Sequence, residues 1–144
     1  MKRIIFILLV HLFFFQEAMA TKNSRSICYL KDRLFMQQVN DINLNPQDYK
    51  NKIIQIEGFF AKYIDENKVE RYAVFRKTAG CCGNDGMAGF EFEYKKGKLS
   101  FEQDEWILVE GLVKEKRMSG YNHIYLEASS VSKKKQGNKP GFVF

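Results

Sequence analysis

The sequence lacks the residue groupings that mark the common enzyme classes. It contains two histidines, His11 and His123, and it has no His-x-x-x-His helix, Ser/His/Asp grouping, carboxylate pair or phosphate-cradling glycine loop. No hydrolase or transferase signature is therefore present, and no small-molecule substrate is indicated. We expect a binding or accessory module rather than an enzyme.

An apolar run long enough to span a membrane is also missing. The apolar run at residues 4–15 has about a dozen residues, whereas a membrane-spanning helix needs roughly 20. The basic Met1-Lys2-Arg3 precedes this run and Ala18-Met19-Ala20 follows it, which is the three-part pattern of a secretory signal peptide. We predict a signal peptide over residues 1–20 and an exported protein, either periplasmic or extracellular.

Outside the C-terminal tail, basic and acidic residues nearly balance. The chain has 23 Lys and Arg against 17 Asp and Glu, and a basic stripe would be expected on a nucleic-acid-binding face. Export and the near-neutral remainder of the chain both argue against a nucleic-acid partner. The tail contains four of the basic residues, Lys133, Lys134, Lys135 and Lys139.

Hydrophobic periodicity divides the remainder into three parts. Residues 21–50 form a predicted helical segment, with an amphipathic helix at residues 27–42 and a short second helix starting at Pro46. Residues 51–132 form a predicted β-domain, and residues 133–144 form a basic linker with an apolar end that we expect to dock. The predicted strands cover residues 53–60, 69–77, 88–94, 106–114 and 122–131.

Two of the predicted strands contain the same glycine pattern. Gly58 and Gly111 each follow a glutamate within an apolar run, and a glycine inside a strand usually marks a bulge or a tight bend. Five strands with short turns and no parallel crossover helix fit a small barrel of the OB type better than a sandwich, which needs about seven. The predicted fold is all-β with an N-terminal helix, a small five-stranded OB-like barrel.

The cysteines are the residues best suited to metal binding or redox reactions. Cys81 and Cys82 are adjacent in a glycine-rich stretch, and adjacent thiolates can hold a soft metal such as zinc or copper. Asp85 lies nearby in sequence and His123 is the remaining histidine after cleavage. These residues suggest a metal site made by Cys81, Cys82, Asp85 and His123, used for metal binding or delivery.

Two other interpretations of the cysteines stay open. Three cysteines allow at most one intramolecular disulfide, so Cys28 could staple the first helix to Cys81 or Cys82 while the other thiol is buried. The chain would then be a structural or protein-interaction domain. A thiol oxidoreductase needs a lowered thiol pKa, for which Arg76 and Lys77 are the nearest cations, but no Cys-x-x-Cys motif opens a helix here.

Several motifs follow one another in a fixed order along the chain. They are Asn45-Pro46, Tyr49-Lys50-Asn51-Lys52, Ile54-x-Ile56-Glu57-Gly58-Phe59, Cys81-Cys82-x-x-Asp85, Trp106-x-x-Val109-x-Gly111, and Pro140 with the aromatic ending. In this order the chain resembles the C-terminal extracytoplasmic domain of the bacterial YcgQ-type proteins, which are membrane proteins of unassigned activity usually paired with a predicted permease. The resemblance implies an OB-like domain outside the cytoplasm, with a membrane permease or another envelope protein as partner. The chain departs from that family where a signal peptide replaces membrane-spanning helices and where Gly83-Asn84 replaces small alanine-like residues.

Overall fold

Most of the chain described by the structure, a computed structural model, is β-strand. The described residues are 26–79, 85–118 and 120–143, so the predicted signal peptide at residues 1–20 lies outside them. Within these ranges no helix is long and apolar enough to cross a membrane. The elements are β1 (Ile27–Tyr29), α1 (Phe35–Leu44), β2 (Ile53–Ile64), β3 (Glu70–Ala79), β4 (Asp85–Tyr94), β5 (Trp106–Met118), β6 (Tyr121–Lys133) and β7 (Phe142–Val143), with 3-10 turns at Asp32–Leu34 and Pro46–Tyr49.

Five strands, β2 to β6, close into a ring. β2 pairs with β3 on one side and with β5 on the other, and the order β2-β5-β6-β4-β3 returns to β2. All neighbours in the ring are antiparallel except β4 and β6, which run parallel. This is the five-stranded Greek-key arrangement of an OB-like barrel, so the predicted fold class is confirmed.

The first predicted helix is wrong over its N-terminal part. The sequence predicts a helix at residues 27–42, but Ile27–Tyr29 form β1, and the α-helix begins only at Phe35. The reason is tertiary pairing: β1 lies parallel to β2, with Ile27 opposite Ile53, and strand pairing of apolar residues overrides a weak helical periodicity. The predicted second helix is confirmed as one 3-10 turn at Pro46–Tyr49.

Helix α1 packs on the barrel core. Its apolar face is formed by Phe35, Val39 and Ile42, all buried, because these residues follow the three-to-four spacing that puts side chains on one side of a helix. They join the inward-facing strand residues in one continuous cluster. The strand members of that cluster include Ile54, Ile56, Phe60, Val74, Phe90, Phe92, Ile107, Val109, Val113 and Leu126.

Both strand glycines lie where backbones approach closely. A Cβ at Gly58 would stand 2.4 Å from the Phe75 carbonyl oxygen, and one at Gly111 would stand 2.7 Å from the Glu127 carbonyl oxygen. The β5–β6 register also shifts between Glu110 and Gly111. The predicted bulge is therefore present at Gly111, and Gly58 lets β3 cross tightly over β2.

Two short strands fill the seam where β2 and β3 separate. Only residues 59–64 of β2 pair with β3. Residues 53–55, at the start of β2, pair with β1 instead. The end of β3, at Lys77 and Thr78, pairs with β7. The expected docking of the apolar C-terminal end is thus confirmed, and it occurs on the chain's own sheet.

The seam strands also fix where the chain ends emerge. β1 runs parallel to β2 and lies beside its first residues, whereas β7 runs parallel to β3 and lies beside its last residues. Because β2 and β3 are antiparallel, Ser26 and Val143 both lie at the barrel end where β3 finishes. We call this end the β3–β4 pole.

Candidate functional site

The connection between β3 and β4 carries the adjacent cysteines. Ala79, the last residue of β3, is paired with Asp85, the first residue of β4. Paired residues of antiparallel strands have their Cα atoms about 5 Å apart, so the ends of this connection are held close together. Cys81 and Cys82 themselves lie outside the described residues.

Below this pole Arg76 is buried inside the protein. Its side chain is 0% exposed, its Nε donates to the Glu57 carbonyl oxygen at 2.8 Å, and its Nη1 donates to Asp32 Oδ1 at 2.7 Å. The guanidinium carbon lies 4.4 Å from the Phe35 ring centroid and 5.2 Å from that of Trp106. Arg76 therefore ties β3 to β2, to the segment before α1 and to β5.

Asp32 is the counterion of Arg76. An ion pair with one buried partner is stable only where each charge has its counterion, and Asp32 supplies it here. Arg76 was one of the two cations nearest the cysteines in sequence. Since its charge is already paired, it is a weaker candidate for lowering a thiol pKa than the sequence suggested.

A second polar group closes the seam. Glu57 is buried, accepts a hydrogen bond from Trp106 Nε1 at 3.1 Å, and forms an ion pair with Lys139. Burial works to raise the pKa of Glu57, but the hydrogen bonds from Lys139 and Trp106 hold it below its ordinary value. Lys139 also donates to the Tyr29 hydroxyl at 3.2 Å, so one lysine joins the C-terminal segment to β1 and β2.

His123 is engaged away from the turn. Its Nε2 lies 2.9 Å from Glu91 Oε2, and its ring stacks on Tyr125 at a centroid distance of 6.4 Å. Glu91 follows Asp85 by six residues in β4, which corresponds to about 20 Å of strand. The structure therefore brings His123 to Glu91 and does not bring it to the beginning of β4.

Cys28, the third cysteine, has a free thiol and is half-buried. It lies in β1 opposite Ile54 and packs against the barrel core. The staple between Cys28 and the Cys81–Cys82 pair is therefore not formed in this structure. In the part of the chain that the structure describes, no group of three or more His, Cys, Asp or Glu side chains is arranged to hold a metal ion.

Sequence reasoning missed the polar cluster of Arg76, Glu57 and Trp106. Neither Trp106 nor Glu57 was selected as a site residue from the sequence, yet the two side chains are hydrogen bonded and buried. One signal was available. Arg76 directly follows the apolar run Tyr72-Ala73-Val74-Phe75, and a charged residue that is buried in a strand requires a partner.

The chain is similar to known proteins in two comparisons. A family model described as the DUF1980 C-terminal domain matches residues 15–144. Among solved structures, the small single-stranded DNA-binding protein from Streptomyces coelicolor is similar at 15% sequence identity, with 57% of this chain and 93% of that chain covered and a TM-score of 0.36. No curated protein matches the sequence.

Proposed function

This chain belongs to the family of DUF1980 C-terminal domains, and we propose that it is an exported, YcgQ-type module that binds zinc or copper through Cys81 and Cys82. Its role is then to pass the ion to, or accept it from, an envelope partner such as a membrane permease. The observation that supports this most directly is the pairing of Ala79 with Asp85, which holds both ends of the cysteine-bearing turn.

A turn held in this way favours metal binding by adjacent thiols. Five residues, 80–84, connect the paired strand ends, so both cysteines lie in a short stretch of sequence whose two ends are held close together. Thiolate is the preferred ligand for Cu(I) and a common one for Zn(II). A carboxylate from Asp85 at the end of the same turn is the third ligand that we propose.

The fourth ligand predicted from the sequence, His123, is used elsewhere in the structure. Its Nε2 is bound to Glu91, and we therefore propose that the ion has two thiolates, one carboxylate and an open position. Structural zinc sites have four protein ligands, whereas sites that exchange a ligand keep a position open. An open position suits delivery better than storage.

The experiment is a measurement of metal content and free thiols on protein purified from the exported fraction. We expect near-stoichiometric zinc or copper in the wild type and its loss in Cys81→Ser/Cys82→Ser. Cys28→Ser is the matched control, because it removes a thiol of the seam and should leave the metal content unchanged. His123→Gln should also retain the metal.

The main competing function is a structural or protein-interaction domain. It is supported if wild-type protein is metal-free and Cys81 and Cys82 are oxidised or unreactive. The free Cys28 thiol weighs against the version of that function in which Cys28 forms a staple. An oxidoreductase would instead show one thiol that reacts far faster than the other two, because catalytic thiols are exposed and have a lowered pKa.

A further inference from the structure

An apolar groove runs along the outer face of β2, β3 and β4. We call it the outer groove. It encloses about 380 Å³, which is within the range of binding pockets in proteins. Its floor is formed by Ala61, Ala73 and Gly89, and its ends include Tyr63, Met87 and Glu91.

The groove exists because small residues come together on three neighbouring strands. Ala61 and Ala73 are direct partners across β2 and β3, and Gly89 is the partner of Phe75 across β3 and β4. A Cβ at Gly89 would stand 2.0 Å from the Val74 carbonyl oxygen. A side chain at position 89 is thus incompatible with the strand packing. The groove therefore has no side chain at this point of its floor.

One end of the outer groove is negatively charged. Glu91 accepts hydrogen bonds from the Tyr63 hydroxyl and from His123 Nε2, and its side chain is still 29% exposed. Burial and the hydrogen bond to Glu91 raise the pKa of Tyr63 above its usual range, so the tyrosine remains a neutral donor. Within the described residues no lysine or arginine forms an ion pair with Glu91, whereas neighbouring Glu93 is paired with Arg71 and Lys116.

The other end carries an adaptable apolar side chain. Met87 is 72% exposed. Methionine is unbranched and its thioether is polarizable, which makes it suited to closing over ligands of varied shape. Met87 lies two residues after Asp85, so this end of the groove is the one nearest the β3–β4 pole.

We propose that the outer groove binds an extended segment of a partner protein through one aromatic or large aliphatic side chain with a lysine or arginine beside it. The apolar side chain lies on Ala61, Ala73 and Gly89, and Met87 covers it. The cationic group lies at Glu91, which among the described residues is bonded to His123 but forms no ion pair with a lysine or arginine. A carboxylate at this point repels phosphate, which favours a protein segment over a nucleic acid.

The test is an NMR titration of the purified exported protein with blocked dipeptides. The probe is N-acetyl-Phe-Lys-amide, and the matched probes N-acetyl-Phe-Glu-amide and N-acetyl-Ala-Lys-amide each remove one half of the recognition. At millimolar concentrations the Phe-Lys probe is expected to shift the amide signals of Ala61, Ala73 and Gly89. Each matched probe should bind about tenfold more weakly, the change given by 1.4 kcal/mol.

Two variants localise the binding. Glu91→Gln should reduce the preference for Phe-Lys over Phe-Glu to about none, and Ala73→Leu should abolish binding by filling the floor. Glu110→Gln is the control, because Glu110 is a strand carboxylate on β5 that accepts a hydrogen bond from Gln55 and lies away from the groove lining. Unchanged amide dispersion in each variant shows that the fold is intact.

Several results would overturn the proposal. These are equal binding of the Phe-Lys and Phe-Glu probes, binding that survives Ala73→Leu, or no shift of the groove amides at millimolar probe. A further one is a shift of the same amides by a single-stranded oligothymidylate, which would make the groove a nucleic-acid surface. Retained metal binding in Ala73→Leu would separate this surface from the cysteine-bearing turn.

Discussion

At the scale of single residues, Arg76 is the side chain with the most connections between elements. It is fully buried, pairs with Asp32, donates to a β2 carbonyl and packs between two aromatic rings. Its Nη2 is also the one buried side-chain nitrogen or oxygen without a hydrogen-bond partner in the described residues. A buried cation of this kind depends strongly on its counterion.

Asp32→Asn should therefore destabilise the protein more than an ordinary surface carboxylate substitution does. Removing one partner of a buried pair costs about 3–5 kcal/mol, and because Asp32 is itself partly exposed we expect about 2–3 kcal/mol in urea unfolding. Arg76→Met keeps the volume and removes the charge, so Asp32→Asn should cost little when added to it. A loss below about 0.5 kcal/mol for Asp32→Asn alone would show that Arg76 does not need its counterion.

At the scale of elements, α1 is attached to the barrel through one face only. Ile42 is 0% exposed and belongs to the core, whereas Leu44, two residues later in the same helix, is 79% exposed. The helix has ten residues, which is too short to be stable alone in water. Its stability must come from this packing against the strands.

Ile42→Ala and Leu44→Ala form a matched pair that measures this attachment. Truncating a buried isoleucine costs about 2–5 kcal/mol because the transfer energy and a cavity both contribute, so we expect about 3 kcal/mol for Ile42→Ala. The same truncation at the exposed Leu44 should stay within about 0.5 kcal/mol. Equal effects in thermal or urea unfolding would mean that α1 is not packed as described.

The sequence predicts the ring strands well and the helix poorly for the same physical reason. Alternation at Ile54-Gln55-Ile56-Glu57 is a local signal, so it identifies β2 without knowledge of its neighbours. The extended conformation of Ile27–Tyr29 depends on pairing with residues 26 positions later, which no local period reports. Strand ends were likewise placed too short: β5 continues to Met118 and β6 to Lys133 through pairing with each other.

Prediction of the candidate site has the same limit. The adjacent cysteines, Asp85 and the single remaining histidine are visible as residue types, so the turn can be selected from sequence. Whether His123 reaches that turn depends on strand register, and the structure shows it bound to Glu91 instead. The outer groove depends on small residues of three strands becoming neighbours, which only the fold reveals.

At the scale of the whole molecule, the barrel is completed by segments far apart in the chain. β1 and β7 fill the seam between β2 and β3, and Lys139 connects them through Tyr29 and Glu57. Chain closure of this kind makes the stability of the whole domain depend on a few seam contacts. The single tryptophan, Trp106, lies at this seam and reports on it.

Lys139→Met should make the domain more sensitive to acid. The wild-type pKa of Glu57 is lowered, so its ionised form contributes stability above its ordinary range, and that stability is lost only as pH falls through the lowered pKa. Without Lys139, the pKa of Glu57 loses a main cause of its lowering, so the ionised carboxylate no longer contributes this stability and the variant has a smaller free energy of unfolding already at neutral pH. We expect the acid-unfolding midpoint, followed by Trp106 fluorescence, to move upward.

Lys135→Met is the control for that measurement. Lys135 is exposed in the same tail, and its substitution removes one positive charge, as Lys139→Met does. Its acid-unfolding midpoint should match the wild type. A shift of equal size in both variants would attribute the effect to the overall charge of the tail rather than to the seam.

Ser26 and Val143 share the β3–β4 pole, and the barrel has a second end opposite to it. The turn after β4 contains Gly97, which lies in an exposed stretch and, since β4 runs away from the β3–β4 pole, is at the opposite end of the barrel. An epitope inserted beside Gly97 in intact cells would thus be the part of the domain farthest from a partner bound at the β3–β4 pole. Antibody accessibility of that epitope, compared with one appended after Phe144, reports the orientation of the domain directly.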